Sequence, residues 1–382
     1  MQRIFWLSLV LLLLYELASV YFIMPMPGSQ KANTLQLAYF LYSYRWWFRI
    51  ALGVLLLTGL LRGSFKRNWV PFLGLVPVAF VVYVLNFKMS ADHMFRQVKT
   101  LAFNTVANNR VDSNRLVIGL SIGDEAKAYP IRFLGYHHFV ADSVGGQPVL
   151  VTYCTVCRTG RVYDSRINGE VQNFRLVGMD HFNAMIEDKK TKSWWQQATG
   201  EAVAGPMKGH RLHEILSTQT TLAEWIKKHP QGMVMQPDPN FENKYDTTLK
   251  FEDGTSRKAL TGSDSLSWQN KSWVVGIERM GHARAYDWNQ LKASRIIKDT
   301  LAGESVLIVL ASDGKSFYAF AGSSCSDQFR LSVDTLIGDQ GKFFINGRAL
   351  SGQADLKPVN AYQEFWHSWR TFRPHSGRYP NP

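Results

Sequence analysis

Val149-Leu150-Val151-Thr152-Tyr153-Cys154-Thr155-Val156-Cys157-Arg158-Thr159-Gly160-Arg161-Val162-Tyr163-Asp164 reads as a strand, a two-cysteine knuckle and a return strand. A β-branched, apolar run ends at Cys154, Cys157 follows at C-x-x-C spacing, and Val162 and Tyr163 resume a strand pattern. Thr159 and Gly160 are expected to permit the reversal. A redox C-x-x-C of the thioredoxin type opens a helix, whose N-terminal dipole lowers the thiol pKa. Gly160 and the β-formers after it argue against a helix here, so the hairpin organises the chain.

Twelve residues upstream of that strand lies His137, in Tyr136-His137-His138-Phe139. Two thiolates from one turn plus an imidazole make a soft ligand set suited to zinc or copper(I). Cys154, Cys157 and His137 are therefore the candidate metal ligands, with His181 a weaker fourth. The same cysteine pair also suits dithiol–disulfide cycling, helped by Arg158 and Arg161, or a plain disulfide closing the turn of a non-catalytic binding module. No G-x-S-x-G, H-E-x-x-H or P-loop pattern occurs, so a hydrolase finds little support and catalysis stays open.

The chain around the knuckle repeats itself. Val117-Ile118-Gly119-Leu120 answers to Val274-Val275-Gly276-Ile277, and at the same offset of 157 Ala128-Tyr129 answers to Ala285-Tyr286, Asp142 to Asp299, Gly146 to Gly303 and Val149-Leu150 to Val306-Leu307. Leu212, Trp225 and Pro230 match Leu356, Trp369 and Pro374 at an offset of 144. A tandem duplication follows, with a first repeat over 115–250 and a second over 251–382. Each repeat reads as short strands (Leu116 to Ile122, Lys127 to Ile131, Val149 to Tyr153, Phe174 to Val177) and closes in a helix (Thr221 to His229; Tyr362 to Phe372) stopped by proline. In the second repeat Cys154, Cys157 and His137 become Ala311, Gly314 and Ser294, while glycines, the Ala-Tyr pair and the apolar strand persist. The reactive groups disappear together, as expected if they share one site in the first repeat.

Upstream, the chain is too apolar for a water-soluble fold. Ile4 to Ile23, Tyr39 to Leu61 and Val70 to Phe87 read as three transmembrane helices within residues 1–88, followed by a polar helical linker from Phe95 to Asn108 inside 89–114. Arg3 and the basic loop with Arg62, Lys66 and Arg67 would face the cytoplasm, placing the remainder on the periplasmic side of the inner membrane. Glu16, Arg45 and Arg49 are the ionisable groups within the spans, and the reading adopted is that Glu16 pairs with an arginine across the helix contact. The fold class expected is a membrane-anchored chain with a β-rich α+β soluble part built from two tandem repeats.

Composition agrees. Three cysteines exclude a disulfide scaffold, so folding rests on burial of the 46% hydrophobic residues. The net charge of +13 is spread without a basic block, so the partner expected is the lipid bilayer rather than nucleic acid.

From Arg115 to Pro374 the quoted residues, together with Ala126-Lys127-Ala128-Tyr129-Pro130, Asp142-Ser143-Val144-Gly145-Gly146-Gln147-Pro148-Val149, Asp188, Thr191, Ser193, Trp195, Gly200, Gly205-Pro206 and Gly209, resemble the bacterial family called domain of unknown function 3179. Members commonly read Y-C-P-L-C-G at the knuckle, where this chain has Thr155 and Arg158 at the Pro and Gly positions, and they tend to carry Asn at His181. The resemblance implies membership and no activity.

Overall fold

In the computed structural model, which describes residues 1–325, 328–339 and 341–380, the chain forms two compact units. The first comprises Met1–Arg96, Phe174–Gln196 and Glu201–His210, and the second Gln97–Asn173, Gln197–Gly200 and Arg211–Pro382.

The first unit opens with α1 (Gln2–Tyr21), α2 (Leu35–Ser43), α3 (Arg45–Arg62), α4 (Val70–Phe87) and the single turn α5 (Ala91–Met94). Of these, α1 and α4 are long and apolar enough to cross a membrane. The single span expected from Tyr39 to Leu61 is instead two helices bent by 60°. At the bend Tyr44 leaves helical geometry, and Arg45 donates to the Tyr42 carbonyl at 2.7 Å. Pro71 sits in the first turn of α4, where its missing N–H costs nothing, and Pro77 lies inside. Phe5, Leu9 and Val78 form the contact between helices, and the expected charge pairing is present. Both Glu16 oxygens accept from Arg49, at 2.7 and 2.9 Å, and Asn86 joins them at 2.8 Å.

Beyond α5 the chain is mainly β structure. β1 (Phe103–Thr105), β2 (Leu116–Ile122), β3 (Glu125–Pro130), α6 (Ile131–His137), β4 (Phe139–Val144), β5 (Gln147–Cys154) and β6 (Thr159–Asp164) come first. The short pair β7 (Arg166–Ile167) and β8 (Glu170–Val171) leads to a meander of β9 (Phe174–Asp180), β10 (Asn183–Asp188), β11 (Trp194–Gln196) and β12 (Ala202–Ala204), then β13 (Thr218–Thr221), α7 (Leu222–Lys228) and β14 (Met233–Met235). Next are β15 (Trp273–Arg279), β16 (His282–Asp287), α8 (Trp288–Ser294), β17 (Ile296–Leu301), β18 (Glu304–Leu310) and β19 (Phe317–Ala321). A small sheet of β20 (Arg330–Ser332), β21 (Thr335–Gly338) and β22 (Gly341–Phe344) precedes β23 (Tyr362–Phe365), α9 (Trp366–Phe372) and β24 (Gly377–Arg378). The meander belongs to the first unit, where Val177, Met185 and Trp194 pack with Ala38 of α2.

The expected helical linker is not there. Phe103–Thr105 instead pairs antiparallel with Met233–Met235, a partner that local sequence does not reveal. In the second unit, strand order runs β13-β2-β3-β14-β1 in one sheet and β23-β15-β16-β24 in another, with β3–β14 and β16–β24 the parallel pairs. β4-β5-β6 and β17-β18-β19 are the accompanying antiparallel hairpins. Gly119 lies opposite Ala128, and Gly276 opposite Ala285. Both glycines are required by close approach. A Cβ on Gly119 would stand 2.4 Å from the Trp225 indole, and one on Gly276 2.1 Å from that of Trp369. Tyr129 donates to Asp142 at 2.7 Å and Tyr286 to Asp299 at 2.8 Å. β23 lies against β6 and β13 against β19, and between them Gln219 donates to Gln363 at 3.1 Å.

Candidate functional site

The knuckle sits where β23 and α9 cover the β5–β6 hairpin. Buried strands carry apolar residues on both faces, and Val149, Leu150, Val151 and Tyr153 are all fully enclosed. Tyr153 pairs with Gly160 and Cys154 with Thr159, leaving Thr155-Val156-Cys157-Arg158 as the turn. The reversal uses Arg158, whose φ is +57°, rather than Thr159 or Gly160. Glycine takes that conformation without strain; here an arginine adopts it. Gly160 serves close packing, since a Cβ there would meet Ile118 at 2.6 Å.

Both thiols are fully enclosed. Cys157 is hydrogen-bonded to Cys154 and to Ser368, and burial pushes its thiol pKa well up, which the Glu364 carboxylate reinforces. The turn backbone is held from the far end of the chain. The Cys157 carbonyl accepts from the Phe365 N–H at 2.9 Å, and the Val156 carbonyl from Lys271 Nζ at 3.1 Å, with His367 Nε2 at 3.2 Å. Lys271 also donates to the Leu260 carbonyl and lies 4.6 Å from the centre of the Phe365 ring. Burial lowers its pKa, against the upward pull of Cys157 and Cys154. Burial and then the Lys271 ammonium bring the His367 imidazole down to about 4, so it is neutral at physiological pH.

The arginines are structural partners of the same covering layer. Arg158 donates to Gln363 Oε1 at 3.0 Å and to the carbonyls of Phe251 and Glu252, and stacks 3.5 Å from the centre of the Trp273 ring. Burial lowers its pKa to about 10, so the guanidinium stays charged. Arg161 donates to Glu364 at 3.1 Å, and Ser368 donates to the other Glu364 oxygen at 2.6 Å. A buried cation so paired is expensive to strand, because removing a partner leaves its charge uncompensated.

The other expected ligands have polar partners of their own. His137 ends α6 fully enclosed, with Nε2 2.8 Å from Tyr245 Oη and the ring edge-on to Tyr136 and Phe241. His181 belongs to the first unit, where Nδ1 is 2.8 Å from Asp180 and that bond raises its pKa. Among the described residues no group of three His, Cys, Asp or Glu side chains is placed to hold a metal ion. The knuckle's neighbours are instead Lys271, Glu364, His367 and Ser368. No local motif marks them, and only the offset of 144, which places α9 in register with α7, gives a hint of their position.

A family model described as protein of unknown function (DUF3179) matches residues 97–376, about three-quarters of the chain. No curated protein and no solved structure matches.

Proposed function

The chain belongs to the DUF3179 family, and we propose that this member is a membrane-anchored, extracytoplasmic thiol protein whose Cys154–Cys157 pair cycles between dithiol and disulfide. The observation that carries this is the hydrogen-bonded thiol pair sealed beneath β23 and α9. Oxidation would join the two Sγ atoms and pass two electrons and two protons to a disulfide-bearing acceptor, which becomes a dithiol. Lys271, the nearby cation, would favour the thiolate, while burial and Glu364 oppose it. Exchange is therefore slow and gated by movement of the covering layer, in contrast to the exposed low-pKa thiols of fast oxidoreductases. The bend at Tyr44 would allow α2 and α3 to serve together as a third span. With the N-terminus inside the inner membrane, the β-rich part would lie in the periplasm, where disulfide chemistry operates.

The duplication is part of the same proposal. It is supported by the matching order of four strands in each sheet, by the paired Gly–Trp contacts and by Gln219 meeting Gln363, its counterpart at the offset of 144. One half keeps the thiols and the other supplies their cover.

The test equilibrates the detergent-solubilised full chain with glutathione buffers, quenches it in acid, denatures and alkylates it, and reads the mass. A single two-electron transition confined to Cys154 and Cys157 is expected. Cys154 and Cys157 both alkylatable at every potential, together with one zinc or copper per chain, would replace this reading with the soft-metal site. Alkylatable cysteines without metal would leave neither.

A further inference from the structure

The first unit has a half-open cavity of about 200 Å³, with charged side chains in a largely apolar wall, where the C-terminal ends of α1 and α4 meet the N-terminal end of α3, and Arg175 and Val177 of β9 contribute to that wall. A single water needs roughly 10–15 Å³ on such a scale, so the space accommodates a small polar group. Its charged lining is Glu16, Arg45, Arg49, Asp92 and Arg175, with Asn86 beside them. The acids are already engaged. Glu16 has both oxygens on Arg49 and Asn86, and Arg175 lies between Glu187 at 2.8 Å and Asp92 at 3.5 Å. Arg45 pairs with no acid among the described residues. It donates to the Tyr42 carbonyl and rests 4.0 Å from the centre of the Tyr42 ring.

We propose that this cavity binds the phosphate of a membrane phospholipid headgroup through the Arg45 guanidinium, with the acyl chains along the outer faces of the helices. A planar guanidinium with donors to spare matches a phosphate oxyanion, and the neutralised acids leave the cavity no attraction for a cation. The surroundings select a lipid. Tyr44, Trp46 and Trp47 flank Arg45 and are 50%, 61% and 74% exposed, the residue types that settle at the headgroup level of a bilayer. Below them Ile50, Val54 and Phe80 leave apolar surface exposed. The inference rests on the membrane reading of the helices and is independent of the thiol chemistry.

Native mass spectrometry of the full chain in detergent micelles, titrated with phosphatidylglycerol, tests it. One lipid per chain is expected to bind saturably. Arg45→Gln should weaken retention about tenfold and Arg45→Lys less, while Arg62→Gln, at the opposite end of α3, should leave it unchanged. Diacylglycerol of the same chains should not be retained by the unmodified protein, a comparison that holds whether or not the variants fold. Displacement of the lipid by millimolar inorganic phosphate would show that the free ion suffices for the same contact, and resistance would assign the site to the lipid. Equal retention of diacylglycerol, or equal losses in Arg45→Gln and Arg62→Gln, would overturn the proposal. A chain that leaves the membrane without detergent would instead overturn the membrane reading.

Discussion

Two hairpin turns in the second unit have the same register and opposite surroundings. In β5–β6 Tyr153 faces Gly160, and in β18–β19 Leu310 faces Phe317, so both close over the same number of residues. The second turn is polar and open, with Ser312, Asp313 and Gly314 exposed. Asp313 ties it locally by accepting from the N–H groups of Lys315 and Ser316 at 2.9 and 2.8 Å. In the first, Val156, Cys157 and Arg158 are buried, the left-handed residue is an arginine, and the backbone is fastened by Phe365, Lys271 and His367. A hairpin of this register can therefore close on one aspartate. The other is sealed with two thiols and a layer of charged groups, each of which is costly to bury and none of which a hairpin of this register requires.

The largest test of the comparison concerns what the two halves share. Trp225 fills the space over Gly119, and Trp369 that over Gly276. Replacing either tryptophan by alanine should cost about 3–5 kcal/mol, read as the shift in urea midpoint of the detergent-solubilised chain. A loss under about 1 kcal/mol for one and several for the other would break the correspondence between the halves.

The second test concerns what they do not share. His367 stands at the offset of 144 from Ala223, so only the cover over the thiols contains the imidazole. Its folded pKa of about 4 lies below the ordinary value of 6.5, and the unfolded chain therefore binds the extra proton. The associated stability is complete above pH 6.5 and is lost as pH falls toward 4, by about 3 kcal/mol over the window. His367→Asn should flatten that part of the acid limb in urea titrations at pH 7.5 and 4.5. An unchanged slope would mean that the imidazole is not sealed in.

These residues also mark how far sequence reasoning reaches. Trp225 and Trp369 emerge from the sequence match at an offset of 144, and the cysteine hairpin from the β-formers on either side of Cys154 and Cys157. The Glu16 pairing follows from the cost of a lone charge among apolar helices. His367 and Lys271 touch the knuckle from more than a hundred residues away, with no period or spacing to announce it. The expected linker helix gave way to β1 for the same reason, because its partner β14 is distant in sequence. The joint absence of His137 and the two cysteines from the second half groups them in sequence, while the Tyr245 hydroxyl 2.8 Å from His137 Nε2 has no sequence signal.

The smallest effect belongs to the open turn. Against the upward push of burial, hydrogen bonds from Ser316, Lys315 and Thr221 hold the Asp313 carboxyl below its ordinary value. Its contribution is thus present above pH 3.8 and lost as pH falls through the lower folded value. Asp313→Ala removes several exposed or half-buried hydrogen bonds, whose net worth is modest because water replaces them, so about 1 kcal/mol is expected at pH 7. The same variant should leave the alkylation rate and redox midpoint of Cys154 and Cys157 where they were, since the turn it loosens is not the one that carries them. A change in thiol behaviour equal to that from altering His367 would mean that the two turns are coupled, and the division between a scaffold hairpin and a chemical one would fall.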